Sequence, residues 1–153
     1  MGRYKSVTIE WSYPIRLDKI LQRESMNDIG LYYISRIFGD KESILYIGKT
    51  THSFRQRLQS HCEDWIDTYR GEKFVRLGRI VKPLNLSQEK LKQLINDSEK
   101  TIIFYMHNED EHDLIANVVS TQSTYPSEDL LIINTGYRGQ LPRELFIPED
   151  YNI

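Results

Sequence analysis

Residues 30 to 61 read GLYYISRIFGDKESILYIGKTTHSFRQRLQSH, from Gly30 to His61, and this stretch decides the fold. Leu31, Tyr32, Tyr33, Ile34, Ile37 and Phe38 are aliphatic, β-branched or aromatic and favour a strand. Gly39-Asp40-Lys41-Glu42-Ser43 is a polar break that opens on a turn-forming Gly-Asp. Ile44, Leu45, Tyr46 and Ile47 make a second strand, which Gly48 stops. Two short strands joined by about five residues form an antiparallel hairpin. Side chains alternate along a strand, so Tyr32 and Tyr46 share a face only in the right register, which the sequence leaves open. A helix follows, with Ser53 as N-cap. Phe54, Leu58, Cys62, Trp65, Ile66 and Tyr69 recur at helical spacing as one apolar stripe. Arg57 and His61 are four residues apart, hence neighbours on the helix surface, at the border of that stripe where helix meets sheet.

The flanking sequence bounds the class of molecule. A chain of 153 residues suits one domain with a real core. Its 39% hydrophobic and 27% charged content is ordinary for a globular protein in water. No run of eighteen apolar residues suggests a membrane helix, and Met1-Gly2-Arg3-Tyr4 does not open a signal peptide. Cys62 is the single cysteine, so no internal disulfide forms. A reducing, cytoplasmic location is expected, with Cys62 as a core residue of the stripe.

Net charge is -2, uncommon for a protein whose ligand is DNA. The distribution is uneven. Lys49 to Lys82 holds eight basic and four acidic residues, whereas Pro83 to Asp129 holds three basic and nine acidic. The basic part adjoins the hairpin and helix, as phosphate binding requires. Taken alone, the charges are explained better by solvation of exposed faces.

Elsewhere, Val7-Thr8-Ile9-Glu10-Trp11 alternates like an edge strand, and Pro14 opens a short helix with Ile15, Leu17, Ile20 and Leu21. Residues 1–29 thus form an N-terminal extension packed on a 30–153 core. Lys73 to Val81 reads as a strand ended by Pro83. Ser87 caps a helix carrying Leu91, Leu94 and Ile95, and Thr101 to Met106 reads as a buried strand. His107 to Asp113 holds two histidines and four carboxylates without regular ligand spacing, which is the pattern of a solvated acidic loop. Leu114, Ile115, Val118 and Val119 suggest a further helix. Tyr137, Leu141, Leu145, Phe146 and Ile147 form a tail on the core.

These residues resemble the GIY-YIG nucleases, a family of DNA-repair incision subunits, homing endonucleases and some restriction enzymes. Gly30-Leu31-Tyr32 is similar to the first motif, with Leu for Ile, and Tyr46-Ile47-Gly48 matches the second, continued by Lys49-Thr50. Arg57 and His61 match the arginine and following histidine or tyrosine of the family's first helix. Glu128-Asp129-Leu130-Leu131-Ile132 resembles the element that carries its metal-binding glutamate. Thirteen residues separate Tyr32 from Tyr46, a slightly longer hairpin than usual, and Gln140 stands where the family tends to place an asparagine.

The resemblance implies an α/β (α+β) domain: a small, mostly antiparallel three-stranded sheet flanked by helices. It implies metal-dependent endonucleolytic cleavage of DNA with Mg²⁺ or Mn²⁺, held by Glu128 and water. Asp129, about 100° further round a helical turn, would face elsewhere. Arg57 would clamp phosphate through paired hydrogen bonds, and Lys49 would add positive charge beside the base. Tyr46 is the first candidate general base with Tyr32 orienting water, and His61 is the rival, since a free imidazole titrates near about pH 6.5. Lys49, Arg55, Arg76 and Arg79 are the candidate DNA contacts. The alternative is a binding module of the same kind, for nucleic acid or protein, that has lost catalysis.

Each residue also has a plainer role. Tyrosines on strands usually pack, and an isolated helical Arg57 or His61 is usually solvated or structural. Glu128 after Ser127 would favour a helix start through the dipole. The joint order of the motifs is what favours the functional reading.

Overall fold

In the computed structural model, which describes residues 5–20, 29–50, 71–108 and 130–147, the hairpin is longer and tighter than the polar break suggests. Strand β3 runs Gly30–Phe38 and β4 runs Lys41–Thr50. Only Gly39 and Asp40 turn the chain, at φ 59° and 65°. A two-residue turn that follows the strand twist needs positive φ at both positions, which Gly and Asp tolerate. Lys41, Glu42 and Ser43 therefore pair with Phe38, Ile37 and Arg36. A register shift between Ile34 and Ser35 leaves Leu45 as the extra residue of a bulge.

Strand β5, Glu72–Lys82, lies antiparallel on the other side of β3. Strand β1, Lys5–Trp11, pairs antiparallel with β5 and parallel with β6, Leu130–Gly136. Two short strands complete the sheet: β2, Ile15–Arg16, on β5, and β7, Glu144–Leu145, on β6. The order β4-β3-β5-β1-β6-β7, with β2 on β5, makes one mixed seven-stranded sheet. Helix α1 spans Leu17–Ile20 and α2 spans Gln88–Asn108.

This architecture overturns the expected small three-stranded sheet flanked by helices. Among the described residues only α2 is a helix longer than four residues. Three local differences account for the change. The 7–11 stretch is interior, not an edge, because β6 pairs along its far side. Residues set apart as an N-terminal extension thus supply a central strand. Leu130-Leu131-Ile132, expected to continue the element after Glu128, is strand. Thr101 to Met106, expected as a strand, lies within the C-terminal half of α2.

Packing explains α2. Ile95, Ser98, Ile102 and Met106 are buried at spacings of three and four, so one continuous helix presents one face to the sheet. Ser87 caps it as expected: its Oγ accepts a hydrogen bond from the Lys90 amide at 3.2 Å.

The sheet separates two cores. On one face Val7, Ile9, Trp11, Leu31, Tyr33, Ile47 and Ile132 pack against Ile95, Ile102, Ile103 and Met106 of α2. The other face gathers Ile15, Ile20, Tyr32, Ile34, Leu45, Val75 and Leu77, with Leu17 and Tyr46 against them. No described helix is long and apolar enough to cross a membrane.

Candidate functional site

Register settles which face each hairpin residue takes. Tyr32 lies opposite Gly48, and Ile34 opposite Tyr46. Alternation then puts Tyr32, Ile34, Tyr46 and Gly48 on one face, that of α1. The two tyrosine rings stack there, centroids 5.8 Å apart and planes 15° from parallel. They lie directly over Gly48. A Cβ at that position would come within 2.3 Å of the Tyr32 Cζ and Oη and 2.5 Å of the Tyr46 Cε1. The glycine of Tyr46-Ile47-Gly48 is therefore a seat for two aromatic rings. Tyr32 is fully buried and Tyr46 half-buried, so Tyr46 is the one of the pair with surface to offer a substrate.

Other expected contributors are placed differently. Lys49 pairs in register with Leu31 and so occupies the opposite face, where its Nζ donates a hydrogen bond to Asn96 Oδ1 of α2. It is not beside Tyr46, as the resemblance implies. Arg76 lies opposite Tyr33, also on the α2 face, and is buried. Its Nη1 donates to Glu42 Oε1 at 2.7 Å, and its guanidinium carbon sits 4.8 Å from the centre of the Tyr33 ring. The guanidinium is thus turned toward Glu42 and Tyr33 on the α2 face. Arg79 is half-buried two residues along β5 from Leu77, hence on the tyrosine face, and is paired in register with Glu10.

Arg55, Arg57, His61 and Glu128 lie outside the described residues. The residues around them still constrain the site. Thr50 ends β4 on the tyrosine face, and the chain runs from there into the segment holding Arg55, Arg57 and His61. Leu130, two residues after Glu128, pairs with Lys5. Trp11, Gly78 and Leu31 form one row across the sheet, and Lys5 is six residues down β1 from it. That is roughly 20 Å along the strand at about 3.3 Å per residue, with two further strands intervening between β6 and β3. Leu130 is thus remote from the Tyr32–Tyr46 pair.

The α2 face holds a polar network that sequence reading missed. Glu42 also accepts from Ser35 Oγ at 2.8 Å. Burial pushes the Glu42 carboxyl up, but the hydrogen bonds from Arg76 and Ser35 and the Arg76 charge outweigh it and hold the carboxyl below its usual range. Burial pushes the Tyr33 phenol up, against the opposing pull of the Gln140 amide and Arg76. That amide donates to Tyr33 Oη at 3.3 Å, which ties the 137–141 loop to the sheet. The Arg76 Nε has no hydrogen-bond partner. Gln140, aligned with the family's asparagine, is used here through its backbone. Asn134 is a core residue: its Oδ1 accepts from Trp11 Nε1 at 2.9 Å and its Nδ2 donates to the Pro142 carbonyl at 2.8 Å.

Among the described residues no group of three or more His, Cys, Asp or Glu side chains is placed to hold a metal ion. Glu42 does not offer itself, being held by Arg76 and Ser35. Comparison with protein-family models, with curated proteins and with solved structures returned no match.

Proposed function

We propose that the chain is a metal-dependent DNA endonuclease of the GIY-YIG kind, with its chemistry on the sheet face that carries Tyr32 and Tyr46. One observation supports this above the rest: the two motif tyrosines stack on the motif glycine, although the tyrosines come from different strands. Tyr46 acts as general base toward water, and Tyr32, buried beneath it, fixes the ring. Arg57 neutralises the phosphate as charge builds on it. His61 is the alternative base. Mg²⁺ or Mn²⁺, when bound, would stabilise the leaving oxygen with water as most of its shell, and the remoteness of Leu130 from the tyrosine pair weighs against Glu128 as its protein ligand.

A second reading follows from the α2 face. Lys49 and Arg76, two of the cations read as candidate DNA contacts, are held by Asn96 and Glu42. A module that binds nucleic acid without cleaving it would need fewer groups on the tyrosine face. The two readings separate on incubation with supercoiled and branched DNA in Mg²⁺ or Mn²⁺, with and without chelator. Cleavage that chelator stops is the expected result. Retention of DNA without cleavage under any metal selects the binding module, and neither binding nor cleavage removes both.

A further inference from the structure

We propose that Tyr13 and Tyr137 form a stacking platform for an unpaired base of single-stranded nucleic acid, separate from the Tyr32–Tyr46 pair. The proposal rests on the reading of the chain as a nucleic-acid protein. The two residues are 124 positions apart, yet their rings meet edge to face, with centroids 6.0 Å apart and planes at 78°. Both are large aromatics left open: Tyr13 is 48% exposed and Tyr137 61%.

Their mounts are fixed. Ser12, just before Tyr13, donates its amide to the Leu77 carbonyl and accepts the Leu77 amide on its Oγ, both at 2.9 Å. The Tyr137 amide donates to the Trp11 carbonyl at 3.1 Å. Gly136 makes the turn that delivers Tyr137, at φ 75°, and a Cβ there would lie 2.6 Å from the Trp11 oxygen. Beyond Tyr137 the loop is tied back to the sheet through Gln140 and Tyr33. An exposed aromatic pair held at both roots loses little freedom when it binds.

The chemistry beside it suits a polyanion. Arg138 is exposed next to Tyr137, and residues 130–143 contain two arginines and no acid. Tyrosine rings stack on any base whose π-face is free, which single strands offer and duplexes withhold, and a neighbouring arginine holds the phosphate or adds to the stack.

The test uses the whole chain and a labelled oligothymidylate of about fifteen nucleotides, followed by fluorescence anisotropy in chelator. Tyr13→Ala and Tyr137→Ala should each weaken binding roughly 5- to 150-fold, the range for loss of one base–aromatic stack. Tyr13→Phe and Tyr137→Phe should bind like wild type, which separates stacking from the hydroxyls. Arg138→Gln should lower the salt dependence by about one phosphate contact. Wild-type protein that ignores the oligonucleotide overturns the proposal, as do alanine variants that bind it unchanged. A shift in oligomeric state on Tyr137→Ala at unchanged affinity makes the pair a contact between copies and also overturns it. Plasmid nicking reports separately: a chain that binds thymidylate through Tyr137 but never cleaves DNA sinks the nuclease reading and keeps this one.

Discussion

Gly48 shows how one missing side chain organises a site. The Tyr32 and Tyr46 rings need the space that any Cβ at position 48 would occupy. Gly48→Ala should therefore cost about 1–3 kcal/mol through overpacking and also disorder the tyrosines. Urea melts and near-ultraviolet circular dichroism measure both effects, and a variant with unchanged aromatic signal and stability would contradict the packing. Glu42 makes a second point at this scale. It is the counter-ion of a nearly buried arginine, while keeping 34% of its own side chain exposed. Glu42→Gln leaves Arg76 charged and unmatched, so stability at pH 7 should fall by up to about 3 kcal/mol, the low end for breaking a buried pair because Glu42 is partly screened. The carboxyl is lowered in the folded state, so its contribution is present above the unfolded value of about 4.3 and is lost as pH falls below it. Thermal melts should show the gap between wild type and Glu42→Gln closing below about pH 4.3. A gap that widens there would reverse the sign and refute the assignment.

At the level of elements, strand alternation and helix packing decide what the residue types alone do not. Tyr46, Gly48 and Thr50 share one face of β4, and Ile47 and Lys49 share the other. Lys49 is therefore a link from β4 to α2. Lys49→Met should leave DNA nicking within about threefold of wild type while lowering stability by about 0.5–1.5 kcal/mol, as for one lost hydrogen bond. A collapse of nicking with stability intact would restore Lys49 to the tyrosine face. In α2, Thr101-Ile102-Ile103-Phe104-Tyr105-Met106 has strand-like composition but lies in a helix. The Thr101 hydroxyl accommodates this by donating to the Asp97 carbonyl at 2.8 Å, one turn back. Ile102 is fully buried against the sheet, so Ile102→Ala should destabilise by about 2–5 kcal/mol in a urea melt. A cost under about 1 kcal/mol would mean that this part of α2 does not pack on the sheet.

Across the whole molecule, the hairpin and its motif are legible from sequence because strand residues flank a Gly-Asp that accepts positive φ. The face of Lys49 is legible too, although the resemblance puts it beside Tyr46: it stands three positions after Tyr46, an odd offset that alternation turns to the opposite side. The sheet's breadth is not. Val7, Ile9 and Trp11 read the same on an edge as in the interior, and only the arrival of β6 from more than 120 residues away distinguishes them. Thr101 to Met106 misleads for a related reason: β-branched and aromatic residues favour strands locally, and burial against a sheet overrides that preference. The Glu42–Arg76 pair is invisible because nothing in the spacing of the two residues announces that β4 and β5 flank the same strand.

The central claim is that Tyr46, seated with Tyr32 on Gly48, performs the chemistry. The most direct measurement is the rate at which wild-type protein and Tyr46→Phe nick supercoiled plasmid in Mg²⁺, with matched melting curves for the two. The phenyl ring keeps the stack and removes only the hydroxyl. The expected result is metal-dependent nicking by wild type and a rate lower by roughly 10² to 10⁴ in an equally stable Tyr46→Phe, the loss of a positioned general base. A Tyr46→Phe protein that nicks as fast as wild type would contradict the account.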